Sequence, residues 1–213
     1  MFTRATVGTV AVANAVAVGD TDGDGLLDIV VSTTSPDMMP VPGVHVFSRA
    51  SVTEEFTTTT LMDSFPAEHV TVGDIDGDGR AEIFAGASRL NALVSSWAWD
   101  GSAYRQHVLS TAFEATWTHR MQLTDVDSDG DLDVLVAFAV DPINSIGWFE
   151  NINDSDAGWV LHAVTSSSAA GDSMATADFD GDGDLDIVVA HGLDSEVVLY
   201  KNDGVAWWRP AGR

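Results

Sequence analysis

The chain has 213 residues, 45% of them hydrophobic, with 33 acids against 9 Lys and Arg and a formal net charge of −24. That is enough apolar material for a core, yet no run of 18 or more apolar residues is present, so no membrane insertion is expected. Nucleic-acid binding is excluded because it needs Lys and Arg facing phosphate, and the absence of Cys excludes disulfides and thiol chemistry.

Taken in order, residues 2–7 (Phe-Thr-Arg-Ala-Thr-Val) open with an aromatic and continue with alternating, β-prone residues. Residues 56–61, 104–109 and 159–164 follow the same pattern, which marks half-buried strands. The chain therefore begins with the last strand of a repeat. That fit is preferred to reading the small residues up to Ala15 as a signal peptide. A short alternating strand follows in each repeat: Val16 and Val18, Val70 and Val72, Met121 and Leu123, Met174 and Thr176. After an acidic loop comes an apolar strand: Ile29-Val30-Val31, Ile83-Phe84-Ala85, Val134-Leu135-Val136 and Ile187-Val188-Val189. Connections of variable length (32–43, 86–92, 139–145, 191–195) lead to a third strand carrying Phe47, Trp97, Phe149 or Tyr200. Turn signals then follow, clearest at Asp100-Gly101 and Asn202-Asp203-Gly204.

The acidic loops span residues 20–28, 74–82, 125–133 and 178–186, a period of about 53 residues. Each places carboxylates at positions 1, 3, 5 and 9: Asp20, Asp22, Asp24, Asp28; Asp74, Asp76, Asp78, Glu82; Asp125, Asp127, Asp129, Asp133; Asp178, Asp180, Asp182, Asp186. Position 6 is always Gly, where the backbone turns sharply. A hard dication takes six to eight oxygens at ~2.3–2.6 Å, and alternate side chains on a tight turn converge on one point. The position-7 residues Leu26, Arg80, Asp131 and Asp184 are expected to add backbone carbonyls. In the fourth loop position 12 is Val189, inside an apolar strand, so these are calcium loops between strands and not EF-hands. Ser128 replaces Gly at position 4 of the third loop, which is not a ligand position, so that site is expected to survive. About four Ca²⁺ per chain are expected, and calcium points to an extracellular or cell-surface location.

Four short strands per repeat, with turns and one internal loop, point to an all-β β-propeller of four-stranded antiparallel blades, four repeats in one domain over residues 1–213. A calcium-binding β-helix has a far shorter, glycine-rich repeat and is set aside. At these residues, Asp-x-Asp-x-Asp-Gly-x-x-Asp ahead of Ile-Val-Val and the closing Asn202-Asp203-Gly204, the chain resembles the FG-GAP/VCBS repeat of integrin α-subunit propellers and many secreted bacterial proteins. A Phe-Gly-Gly-Ala-Pro signature is absent, so the VCBS variant is the closer likeness. The resemblance implies propeller blades with metal between the first and second strands, usually seven or eight to a ring.

Three closures are open: a four-bladed ring closed by residues 2–7, an eight-bladed ring of two chains that exchange those strands, or part of a larger ring. The homodimer is favoured, since closure removes exposed sheet edges, although Trp207-Trp208 is an alternative start for an outer strand. The face away from the loops carries Asn14, Glu68, Arg89, Trp117, His119, Asp172 and His191. Trp117 with His119 is the candidate ligand surface for protein or carbohydrate. Some polysaccharide lyases and lipases carry propellers of this family. The six histidines, however, lie in no recognisable nucleophile or zinc motif, so the chain is read as a scaffold and not an enzyme.

Overall fold

The computed structural model describes residues 2–10, 12–34, 43–62, 66–87, 94–110, 117–140, 143–152, 158–165, 171–192 and 195–204. Among these it contains fifteen strands and no helix. β1 (Val12–Gly19), β2 (Asp28–Thr34), β3 (Val44–Ser48) and β4 (Thr57–Met62) form the first antiparallel sheet in meander order. β5 (Ala67–Gly73) to β8 (Tyr104–Ser110), with β6 (Glu82–Ala87) and β7 (Val94–Trp99) between them, form the second. β9 (Trp117–Thr124), β10 (Asp133–Val140), β11 (Ile143–Asn151) and β12 (Trp159–Thr165) form the third. β13 (Gly171–Ala177), β14 (Asp186–His191) and β15 (Glu196–Tyr200) form a fourth sheet of three strands. The four sheets are the blades of a β-propeller, and each acidic loop joins the first strand of a blade to the second.

The apolar runs are continuous where a blade has neighbours on both faces. In β10, Val134, Leu135, Val136, Ala137 and Phe138 are all buried, so successive side chains enter opposite seams. Val134, Val136 and Phe138 pack with Phe84 and Val94 of the second blade, whereas Leu135 packs with Ile187 and Val189 of the fourth. Val30, Val44 and Val46 meet Val70, Ile83, Ala85 and Trp97 in the seam between the first two blades. The core is thus three seams in chain order, and each blade is held mainly by the next. Burying a Val, Ile or Phe contributes about 1.5–3 kcal/mol, so each seam rests on several such terms.

Two expectations change. Residues 2–9 form no strand and stand exposed, and the fourth blade has three strands among the described residues. An isolated strand has no ladder partner to satisfy its backbone, so a β-prone sequence alone does not make one. Trp207 and Trp208 lie outside the described residues.

Candidate metal centre

Each loop is built by carboxylates that fold the backbone around themselves. In the first, Asp20 Oδ1 accepts the Gly23 amide at 2.8 Å and its Oδ2 the Gly25 amide at 2.9 Å. Asp22 accepts the Asp24 amide, and Asp24 the amide of Leu26. The fourth repeats this, with Asp178 taking the amides of Gly181 and Gly183. The position-7 amides of Arg80, Asp131 and Asp184 likewise donate to position 5 of their loops. Such a spiral needs left-handed backbone at positions 4 and 6. Gly130 has φ +106°, and Ser128 is held at φ +61°, where the other loops use Gly.

The position-9 carboxylate does more than the sequence indicated. Asp133 Oδ2 accepts the Val126 amide at 2.8 Å and Oδ1 the Asn151 amide at 2.9 Å, and Asp186 makes the same pair with Phe179 and Asn202. Asp28 and Glu82 accept the Thr21 and Ile75 amides. Position 9 therefore staples the loop to its own blade, reaching the last residue of β11 in the third blade and Asn202, just past β15, in the fourth. All four of these carboxylates are buried.

Oxygens of Asp20, Asp22 and Asp28 lie within 4.8 Å of one another, as do those of Asp74, Asp76 and Asp78, of Asp125, Asp127 and Asp133, and of Asp178, Asp180 and Asp186. Three of the four expected carboxylates converge in each loop. Asp24, Glu82, Asp129 and Asp182 fall outside these groups. Burial, and then neighbouring carboxylates, push Asp22 and Asp127 above the ordinary range, and burial pushes Asp28 up and Asp133 to about 7. Asp74 Oδ1 and Asp127 Oδ1 are buried without a partner. All-oxygen donors, mutual repulsion and orphaned acceptors together fit a hard dication such as Ca²⁺.

The loops also reach the next blade. Asn151 Nδ2 donates to the Ile75 carbonyl at 3.2 Å, and Asn202 Nδ2 to the Val126 carbonyl at 3.5 Å. Both carbonyls belong to position 2 of the preceding blade's acidic loop. Tyr104 Oη meets Thr21 Oγ1 at 2.6 Å in the first seam, and burial pushes its phenol up to about 12. The sequence showed Asn202 only as a turn residue. The available signal was Asn two places after the aromatic of the third strand, in the last two repeats.

On the opposite end, Trp117 and His119 lie in β9, away from its loop. Their side chains and Arg89 are outside the described residues. The pairing register shifts at Asn14, Glu68, His119 and Asp172, once in each inner strand. Asn14 Nδ2 bonds the Glu68 carbonyl at 2.6 Å and its carboxylate at 3.0 Å, and Arg120 Nε bonds the Asp172 carbonyl at 3.0 Å. These polar residues tie blades together. His191 is buried against Tyr200 Oη at 3.2 Å.

Residues 12–46 match the FG-GAP repeat model and residues 125–189 the FG-GAP-like repeat model. Two stretches of the chain thus match FG-GAP-type repeats, which supports an FG-GAP-type β-propeller. No curated protein sequence matches it significantly. Among solved structures it resembles rhamnogalacturonan lyase YesW (14% identity, TM-score 0.52), over 84% of this chain and 40% of that one. It also resembles the exotype rhamnogalacturonan lyase YesX (16%, TM-score 0.49, 84% and 38%) and Bacillus licheniformis rhamnogalacturonan lyase PL11 (16%, TM-score 0.45, 83% and 39%). The chain thus spans about 40% of the length of these structures, and at 14% identity the likeness to YesW is one of fold.

Proposed function

We propose that the chain is a calcium-binding propeller scaffold, with Ca²⁺ a structural ion in all four loops. The observation that supports this most is the repeated convergence of three carboxylates within 4.8 Å, two groups of which hold a buried oxygen without a partner. The ligands are the converging residues, with position 5, position 9 and the position-7 carbonyls completing each shell. A metal that binds only the folded state stabilises by RT ln(1 + [Ca]/Kd), about 2.7 kcal/mol per site at a hundredfold excess. Over four sites that rivals the ~5–15 kcal/mol stability of a typical domain. EDTA should therefore lower the melting temperature by tens of degrees, reversibly on adding Ca²⁺. An unchanged melting curve refutes the reading.

In this proposal the chain works outside the cell, and two chains complete one eight-bladed ring that presents its surface to other proteins. Residues 2–7 then serve as the outer strand of the partner's short fourth blade. Among the described residues no helix is long and apolar enough to cross a membrane. The role is binding and not catalysis. His162 is bonded to Glu150 at 2.6 Å and stacked on Trp148, His45 lies between Thr33 and Thr60, and His191 is buried.

Carbohydrate is a second ligand class, favoured by a cavity of about 390 Å³ between the first two blades. It is lined by Thr59, Leu61, Trp97, Trp99, Tyr104 and Gln106. Trp99 stands edge-on to Tyr104 at 4.9 Å, an aromatic wall beside hydroxyl and amide groups. A glycan array with Trp99→Ala and Trp117→Ala as controls separates this site from the Trp117 face. No binding by the parent protein leaves the scaffold alone.

A further inference from the structure

Resting on the two-chain reading, we propose where the two copies meet. The fourth blade of one copy docks on the first blade of the other, with Phe179, Val197 and Leu199 as its apolar plug. Residues 2–7 add to β15 across that seam in a fixed register.

The repeats allow each end face to be compared with its interior counterparts. Val197 pairs with Ala190 as Val44 pairs with Ser32, Val94 with Gly86 and Ile146 with Ala137. The three interior residues are at most 2% exposed, and Val197 is 75% exposed. Leu199, at 40%, corresponds by register to Val46, Ser96 and Trp148, each at most 1%. Phe179 is second in its loop and 53% exposed, whereas Thr21, Ile75 and Val126 at that position are at most 5%. Every interior blade hides these three positions under the blade that follows it.

The first blade shows the complementary deficit. Val16 is 65% exposed, against 2% for Val70 and 4% for Met121 at the same register. Val18 and Leu27 are exposed beside it. The counterparts of Leu27 lean on the preceding blade: a Cβ at Gly19 would lie 3.1 Å from Ala81 Cβ, and one at Gly73 3.7 Å from Leu132 Cδ1. Among the described residues, the outward faces of the first and the fourth blade are therefore both uncovered. A second copy supplies both surfaces, and two identical seams about a two-fold axis close the ring with no free face.

The strand follows the same logic. In the first seam Leu61 and Met62, which precede β5, pack on the cluster containing Trp97. Their counterparts by repeat are Val7 and Gly8, and Gly8 lies against the Phe47 ring so closely that a Cβ there would collide with it. The amino-terminal segment thus already runs where the outer strand of a preceding blade belongs. The interior pairs Phe47 with Thr58, Trp97 with Gln106 and Phe149 with Leu161 set the register. They place Tyr200 opposite Arg4, Leu199 opposite Ala5 and Val198 opposite Thr6 of the other copy, an added strand held by main-chain bonds.

The test uses the whole chain with Ca²⁺ present, by analytical ultracentrifugation. The parent protein should sediment at twice the 22.5 kDa chain mass. Phe179→Asp and Val197→Lys should each weaken the dimer about a hundredfold or more, since each places a charge in both seams. Circular dichroism should stay unchanged, and the exposed-site control Val52→Lys should have no effect. Because the chain has no Cys, Ala5→Cys with Leu199→Cys should give a clean disulfide between chains. A monomeric parent protein overturns the two-chain reading itself. A dimer indifferent to Phe179→Asp and Val197→Lys overturns the seam assignment alone. A disulfide within one chain, or a mass that keeps growing with concentration, overturns the closed exchange.

Discussion

Asn151→Asp tests the latch between blade and loop. Asn151 is fully buried, its Nδ2 donates to the carbonyls of Ile75 at 3.2 Å and Leu132 at 3.4 Å, and its amide donates to Asp133. Aspartate keeps the shape but turns an acceptor toward two carbonyls, beside the buried Asp133 carboxylate. A charge there is too costly, so the introduced carboxyl takes up a proton. Moving a carboxyl from about 4 to beyond pH 7 costs ~4 kcal/mol at 1.36 kcal/mol per unit. The resulting hydroxyl can serve only one of the two carbonyls, which adds about 1 kcal/mol. The expected loss is about 5 kcal/mol at pH 7. Because the folded-state value is raised, the penalty fades as pH falls, to about 1–2 kcal/mol near pH 4. Asn202→Asp, half-buried and 3.5 Å from the Val126 carbonyl, should cost about 1 kcal/mol. Urea titration at constant Ca²⁺, with wild type as reference at each pH, measures both. Equal costs for the two variants, or a pH-independent loss at Asn151, refute the reasoning.

Further outcomes follow from the loops and the core. Ser128→Gly should leave calorimetric stability unchanged or raise it by up to ~1 kcal/mol, relief of left-handed strain being offset by unfolded-chain entropy; Gly130→Ala at φ +106° should lower it by about 1–3 kcal/mol. His69 is half-buried, its Nδ1 lacks a partner, and burial and then Arg120 lower its pKa to about 4. It stays neutral in the fold while the unfolded chain protonates near 6.5, so stability falls as pH drops from about 6.5 to 4. His69→Gln should remove up to ~3 kcal/mol of that slope in denaturation measured at pH 7 and 4.5. Phe84→Ala empties a fully buried site that meets Trp159 edge-on at 5.8 Å, and should cost about 3–5 kcal/mol in urea unfolding.

The blades were legible because two periodic signals coincide: alternating or apolar strand residues, and carboxylates at fixed spacing ahead of them. The convergence of three carboxylates in each loop was legible for the same reason, as their spacing is local. What escaped was set by tertiary contact. Position 9 looked like one more ligand, yet it also staples the loop to its own blade, which depends on where Val126 and Asn151 come to lie. Position 2 is Thr, Ile, Val or Phe, with no shared chemistry to read, and it becomes a seam residue only when the next blade covers it. Residues 2–7 carry strand propensity but pair with no strand among the described residues, so the expected strand is not formed there.

The most direct test of a calcium-built half-ring is native mass spectrometry of the intact chain with and without EDTA, which counts chains and metals together. A dimer with eight Ca²⁺ that loses its metal and its partner in EDTA is the predicted result. A species carrying no Ca²⁺, whatever its number of chains, would contradict the reading of the loops on which the scaffold proposal rests.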